Sequence, residues 1–317
     1  MKFGVLDSAP VRHGGTNADA LVESLARAEL LDEIGCHRLW FTEHHLAPDV
    51  ASSSPLTLVG QSATRTARVR LGAGGVMIRN HPPLVVAETV ATLTLLHPGR
   101  VDLGLGRSGG SDHTTDARIR RTIVDYVDFE EDVNETVYHL AQLKAEGVEV
   151  FVLASSPATA SFAGRQGLGV AVAGHVAPAG IDGAITAYRE SFRIRPGGLS
   201  SRPRTILCLP ILVASTDDEA RWWFRSVQQR YLDRLRTGGA PMVAPIDAEL
   251  DWSSSERYRV QGMLDAAIMG SPETAERLLD QVRARWSPDE LMAMTDLPSP
   301  EATMNSHTHL AELLTQI

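Results

Sequence analysis

Eight short apolar runs recur along the chain, each followed by an amphipathic stretch. That recurrence leaves few architectures open. The runs are "KFGVLD" (2–7), "HRLWFT" (37–42), "VRLGAGGVMI" (69–78), "RVDLGLG" (100–106), "VEVFVLA" (148–154), "GVAVAG" (169–174), "TILCLPILVA" (205–214) and "ELMAMT" (290–295). They are continuously apolar rather than alternating, as strands covered on both faces are. The stretches between them carry helix signals. "NADALVESLARAELLDEIG" opens on Asn17 as N-cap, spaces Leu21, Leu25 and Ala28 along one face, and stops at Gly35. "TDDEARWWFRSVQQRYLDRL" begins with a capping pair, Thr216 and Glu219. Eight strands, each followed by helix, predict an α/β fold, the (β/α)8 TIM barrel, with the 317 residues as one domain. Pro210 weakens the seventh strand by one ladder donor. About seventy-five residues separate the seventh run from the eighth, room for extra helices and a loop. The loop "TGGAPMVAPIDAELDWSSSE" is either a mobile lid or a plain surface connection.

Composition narrows the partners. A net charge of −9 argues against nucleic acid or an anionic membrane. No apolar run is long enough to span a bilayer, and "MKFGVLD" reads as a strand rather than a leader. Cys36 and Cys208 are the only cysteines, each in apolar context, which predicts reduced, buried thiols in a cytoplasmic protein.

In such a barrel the active site lies at the C-terminal ends of the strands. That places Asp7, Glu43-His44-His45, Gly74-Gly75, Arg107, Ser155-Ser156 and His175 around one mouth. Adjacent side chains of an extended strand point to opposite faces, so His44 and His45 are ill placed to share a metal. No HExxH or CxxC accompanies them, and Asp112, His113 and Asp116 read as a polar loop cluster. One histidine moving protons while the other supports it is the better reading; two packed or solvated histidines are the plain one. "GLGRSG" matches a dinucleotide fingerprint, with Asp125 and Asp128 about twenty residues on. Three strand–helix units precede it, however, so the match is weak. Its glycines still allow close backbone approach, and Arg107 offers a planar cation for phosphate or a surface salt bridge. In "LASSPATASFAGRQG", Ser156 caps a helix that Pro157 opens and Gly167 closes. The free N–H groups there, with the hydroxyls of Ser155, Ser156 and Thr159, form an anion site. Three glycines inside "GAGGV" suggest a flat ligand close by or a strained backbone. One planar ligand with a phosphate tail, flavin mononucleotide (FMN), unites these features.

The same motifs resemble the bacterial luciferase-like flavin-dependent monooxygenases nearly end to end. The resemblance runs through "MKFGVLD", "GCHRLWFTEHH", "LGAGGVMIRNHPPLVVAE", "LHPGRVDLGLGR", "LASSPATASFAGRQGLGVAVAGH" and "MGSPETAERLLDQV". The nearest flavour is the mensacarcin-type tailoring oxygenases of aromatic polyketide antibiotic pathways. The resemblance implies extra elements before the last barrel strand and a homodimer formed through the second and third helices. It also implies FMN supplied reduced, as FMNH2, by a separate flavin reductase. With O2 this gives a C4a-peroxyflavin that oxygenates an apolar, polycyclic aromatic substrate. Carried over by position, His44 is the acid/base residue, with Glu43 and His45 in support. Gly74-Gly75 matches a non-prolyl cis peptide beneath the flavin ring. Arg107, Ser156 and Thr159 match phosphate contacts, with Ser155 and His175 beside them at the cofactor. A deazaflavin-dependent oxidoreductase of the same fold, or a flavin-binding protein without turnover, are the alternatives. Gly106 stands where some relatives carry a reactive cysteine, and the segment between "GLGR" and "VFVLASS" is short.

Overall fold

The computed structural model describes residues 1–108, 110, 113–119, 128–195 and 199–315. Asp112, Asp125 and the side chains of His113 and Asp116 lie outside the described residues. The elements run β1 (Lys2–Asp7), α1 (Asn17–Glu33), β2 (Arg38–Phe41), α2 (Pro55–Ala63), β3 (Arg70–Met77), α3 (Pro83–Leu96), β4 (Val101–Gly106), α4 (His113–Ile119), α5 (Phe129–Gln142), β5 (Glu149–Ala154), α6 (Pro157–Arg165), β6 (Gly169–Ala173) and α7 (Ile181–Ser191). They continue with β7 (Thr205–Val213), α8 (Asp217–Thr237), α9 (Ser254–Met263), β8 (Ile268–Gly270), α10 (Pro272–Trp286), β9 (Glu290–Met294) and α11 (Pro300–Thr315).

Eight of the strands close into a parallel barrel in the order β1 to β7 and then β9, which pairs with both β7 and β1. These are the eight apolar runs, so the expected TIM barrel is the fold observed. The strand β8 lies outside the ring: it pairs only with the end of β7, Ile211 to Val213. Three residues were too short a run for the sequence to announce. Pro210 sits inside β7 opposite Met294 without ending the strand.

One helix start differs from the sequence reading. Thr16, not Asn17, caps α1, through a capping box with Asp19. The buried face of α1 holds Ala20, Ser24, Arg27, Ala28 and Leu31; of the expected Leu21, Leu25 and Ala28, only Ala28 is fully buried and the two leucines are half-buried at its edge. Arg27 belongs to the buried face because its guanidinium reaches inward to Asp7 at 2.8 Å. Asp128, the expected ribose partner of a dinucleotide reading, instead caps α5 by accepting from the Glu130 and Glu131 amides. The loop after α8 is stitched down as well. The Met242 and Val11 backbones bond at 2.8 Å, the His13 amide donates to Met242, and Ser226 Oγ donates to the Val243 carbonyl. Residues 242–243 are therefore part of the barrel rim rather than a free lid.

The main apolar core lies between strands and helices, and a smaller one of Leu6, Trp40, Phe151, Ala171, Ile206, Cys208 and Met292 fills the barrel. Below it, at the N-terminal ends of the strands, charge replaces apolar packing. Arg38 is fully buried and meets three carboxylates: Glu290 through two bonds (2.6 and 2.8 Å), Asp102 (2.5 Å) and Glu149 (3.1 Å). Arg70 and Arg204 complete the set from Asp102 and Glu149. Burial alone would raise the Glu149 carboxyl, but Arg204, Arg70 and Arg38 hold it down at about 2. Glu290 is likewise lowered, chiefly by Arg38 acting against the cost of burial.

Arg38→Met should therefore cost roughly 3–5 kcal/mol near neutrality, because three carboxylates lose their central partner. Carboxyls with depressed folded-state pKa contribute stability above their unfolded value of about 4.3, and lose it as pH falls through the folded value. The gap between variant and wild type should accordingly narrow toward pH 3. Urea unfolding at both pH values checks this; a deficit independent of pH would refute the electrostatic account.

Candidate active site

A cavity of about 350 Å³ opens at the C-terminal end of the barrel, within the range of small-molecule sites. Its floor is the inner apolar layer: Leu6, Trp40, Leu153, Ala171, Cys208 and Met292. Its wall carries Thr42, His44, Gly74, Met77, Arg107, Ser155, Ser156, Thr159 and His175. Seven of the residues singled out from sequence thus meet in one place. Glu43, His45, Gly75 and Asp7 do not line it.

The "TEHH" segment explains the division. Its backbone leaves β2 in extended form and is pegged on both sides: the His44 amide donates to Ser52, and the His45 amide to Gly110. Alternation then sends His44 into the cavity and turns its two neighbours away. Glu43 is buried on the outer side. Its Oε1 lies 2.8 Å from both His45 Nε2 and His81 Nε2, and its Oε2 accepts from the Met77 amide at 3.0 Å. Burial would raise this carboxyl, but His81, then His45 and the Met77 amide, hold it below its ordinary range. Glu43 and His45 therefore fix the loop that carries His44. Asp7 likewise spends its charge on Arg27.

The two cavity histidines are uncharged near neutral pH. Burial, and after it Arg234, pushes His44 down to about 4. Burial and Arg234 do the same to His175, also to about 4. The Nδ1 of His175 is buried without a partner among the described residues. Both rings can accept a proton; neither carries one at rest.

The same wall carries one cationic side chain and a helix N-terminus. Arg107 is exposed, with no hydrogen-bond or ion-pair partner among the described residues. Ser156 caps α6, accepting from the Thr159 amide at 3.4 Å, and Pro157 opens the helix. A guanidinium on the same wall as a helix N-terminus and three hydroxyls is a donor set for a dianion.

The Gly74–Gly75 peptide is cis, as the sequence reading expects. The register of β3 against β4 shifts there. The glycines of this strand have a packing cause that the sequence could not show. A Cβ at Gly72 would stand 2.6 Å from Asp102 Cβ and 2.8 Å from Trp40 Nε1; one at Gly74 would stand 2.8 Å from Trp40 Cε3. The missing side chains leave room for Trp40, which the sequence reading treated only as strand filler. Cys208, read there as a buried thiol, is buried and free but forms part of the floor; burial raises it.

Comparison with known proteins assigns the chain. The model of the luciferase-like monooxygenase family matches residues 1–295. The chain belongs to the luciferase-like monooxygenase family. A luciferase-like monooxygenase of Escherichia coli K12 is 35% identical over 96% of this chain and 94% of its own length. The uncharacterized protein YvbT of Bacillus subtilis is 35% identical over 98% and 96%. Among solved structures, apo-MsnO8 superposes with a TM-score of 0.85 at 26% identity, covering 100% of this chain and 99% of that one. The oxygenating constituent of 3,6-diketocamphane monooxygenase from Pseudomonas putida, solved with FMN, gives 0.73 at 13% identity over 100% and 98%, a likeness of fold.

For this luciferase-like monooxygenase the site separates scaffold from ligand-facing residues, and unfolding distinguishes them. Arg107→Ala should change stability by no more than about 0.5 kcal/mol, as an exposed residue without partners among the described residues. Glu43→Ala strands two imidazoles and an amide and should cost roughly 3 kcal/mol. Denaturant midpoints of the ligand-free protein measure both; equal effects would show that the division is wrong.

Proposed function

We propose that this protein is a two-component, FMNH2-dependent monooxygenase that inserts one atom of O2 into an apolar, polycyclic aromatic small molecule. The observation that carries the reading is the lining of the cavity: an apolar floor, and on its wall a guanidinium, a helix N-terminus with three hydroxyls, and two neutral imidazoles. The residues present fit FMN. Arg107, Ser156 and Thr159, with Ser155 beside them, would hold its phosphate. Trp40, Leu6, Leu153 and Met292 offer apolar surface to its ring system, with Gly74 at the wall. When bound, the reduced flavin supplies the electrons that activate oxygen. The work of the chain is to orient, to exclude water and to move protons. His44 is the catalytic proton acceptor and donor at the wall, and His175 faces it with an unpartnered ring nitrogen. Glu43 and His45 hold His44 in place from behind.

The reductase is a separate protein, and the enzyme acts as a homodimer of single barrel domains in the cytoplasm, serving antibiotic-type aromatic biosynthesis. Exposed Leu84, Val85, Leu95 and Leu96 on α3, beside the groove between α2 and α3, support a dimer contact there. Among the described residues, no helix is long and apolar enough to cross a membrane, and no cluster of side chains could hold a metal.

Oxygen uptake by the protein loaded with reduced FMN tests the reading, with stopped-flow absorbance following a species distinct from reduced and oxidised flavin. Hydride transfer with a deazaflavin and no oxygen uptake would instead favour the deazaflavin-dependent oxidoreductase; tight flavin binding with neither would favour a protein without turnover. His44→Ala should lower turnover by ~10²-fold or more with folding intact, the usual loss for an acid/base residue. Arg107→Ala should weaken reduced FMN by about ten- to hundredfold, one charge-assisted phosphate contact, and leave reduced riboflavin unchanged. Anaerobic titration with both flavins reads this. Equal loss on both, or none on either, places the phosphate elsewhere.

A further inference from the structure

Helix α8 leaves β7 and then touches the ends of four other barrel strands. Arg230 pairs with Asp296, just beyond β9, and donates to Ser8 Oγ, just beyond β1, at 3.0 Å. The Tyr231 hydroxyl donates to the His175 carbonyl, beyond β6, at 3.0 Å. Arg234 places Nε and Nη2 at 3.0 and 2.9 Å from Asp49 Oδ2, in the connection that follows β2. Arg230 Nε stands 3.7 Å from the same oxygen. Residues 230, 231 and 234 share one face of a helix, so a single helical face spans the mouth from β6 to β2.

Asp49 is where these contacts converge. It is 2% exposed, receives two arginines, and through its carbonyl accepts the Val11 amide. The chain then returns over it. Gly239, two residues beyond α8, holds φ +131°, and a Cβ there would stand 2.7 Å from Asp49 Oδ1. Only glycine combines that backbone with that closeness.

We propose that Asp49 is a latch that holds α8 across the barrel mouth, and that through it Arg234 is a positioning residue for His44 and His175. The groups around His44 are Asp49 on its own connection, Arg230 and Arg234 on α8, His175 beyond β6 and the Gly110 carbonyl. Glu43 and His45 face the other way. Closed, the latch keeps the two rings dry and beside a cation, which leaves them uncharged and ready to accept protons. The inference concerns the ligand-free protein and stands apart from the identity of the cofactor.

The sign of one titration separates a latch from a fixed scaffold. Asp49 itself favours protonated His44, so in a fixed scaffold Asp49→Asn would lower the His44 midpoint further. If Asp49 is the latch, its loss frees α8, water and distance remove burial and Arg234, and the midpoint rises by about one unit or more. Gly239→Ala changes no charge and should give the same rise by crowding the carboxylate. Arg234→Met should raise it as well. NMR titration of the His44 ring carbons in the apo protein, assigned with His44→Gln, gives the reading. A fall in Asp49→Asn, or no change in Gly239→Ala or in Arg234→Met, overturns the proposal. Should Asp49→Asn fail to fold, the other two variants decide it alone.

Discussion

One guanidinium organises this barrel. Arg38 lies on its axis near the N-terminal ends of the strands and bonds carboxylates from β4, β5 and β9. Strands that are distant in sequence are thereby tied through a single point. Burying such a cluster gives up solvation that a set of apolar side chains would not, so its worth lies less in net stability than in register. A slip of one residue in any of the three strands would turn its carboxylate outward and leave Arg38 short of a partner. The guanidinium also lies 5.2 Å from the centre of the Phe151 ring and 5.7 Å from that of Trp40, so the charged layer and the apolar layer above it share a boundary.

Trp40 carries that constraint up to the site. Its indole N–H donates to Asp102 at 2.9 Å, which fixes the ring from below, while the ring itself forms part of the cavity floor. Gly72 and Gly74 lack side chains because the indole and Asp102 occupy that volume. The glycines of β3 thus follow from the charge at the base of the barrel. They serve the cavity indirectly, by letting a large flat residue lie against the strand wall.

The apolar runs made the eight strands legible, since strands buried on both faces leave no other pattern. The candidate site was legible in part, because the positions just past strand ends are known once the strands are. His44, Arg107, Ser156 and His175 follow from that rule, and Thr159 from the helix start that Ser156 caps. What escaped is whatever depends on contacts between distant residues. Nothing in "SLARAEL" tells that Arg27 turns inward to Asp7. The loop after α8 reads from its Gly, Pro and Ser as either a lid or a plain connection, and only the backbone pairing of Met242 with residues 11–13 shows that this part of it is held. Asp49, Tyr231 and Arg234 gave no local signal either; a spacing of three or four on a long helix marks a face without saying what the face meets.

The "EHH" triplet shows how one strand end can be both scaffold and tool. A carboxylate facing the cavity would repel a phosphate-bearing ligand and compete for Arg107. Alternation instead sends Glu43 to the outer side, where His45, His81 and a backbone amide absorb its charge. The ring left facing inward has no acid beside it on its own strand. Its charge state is therefore set from across the mouth, by burial and by Arg234, and not by its sequence neighbours. The same arrangement gives the cavity wall one cation, Arg107, beside neutral proton acceptors, while Arg234 stays behind them, paired with Asp49. An anionic ligand can be held there without the histidines spending their protonation on binding it, which leaves them free for proton transfer.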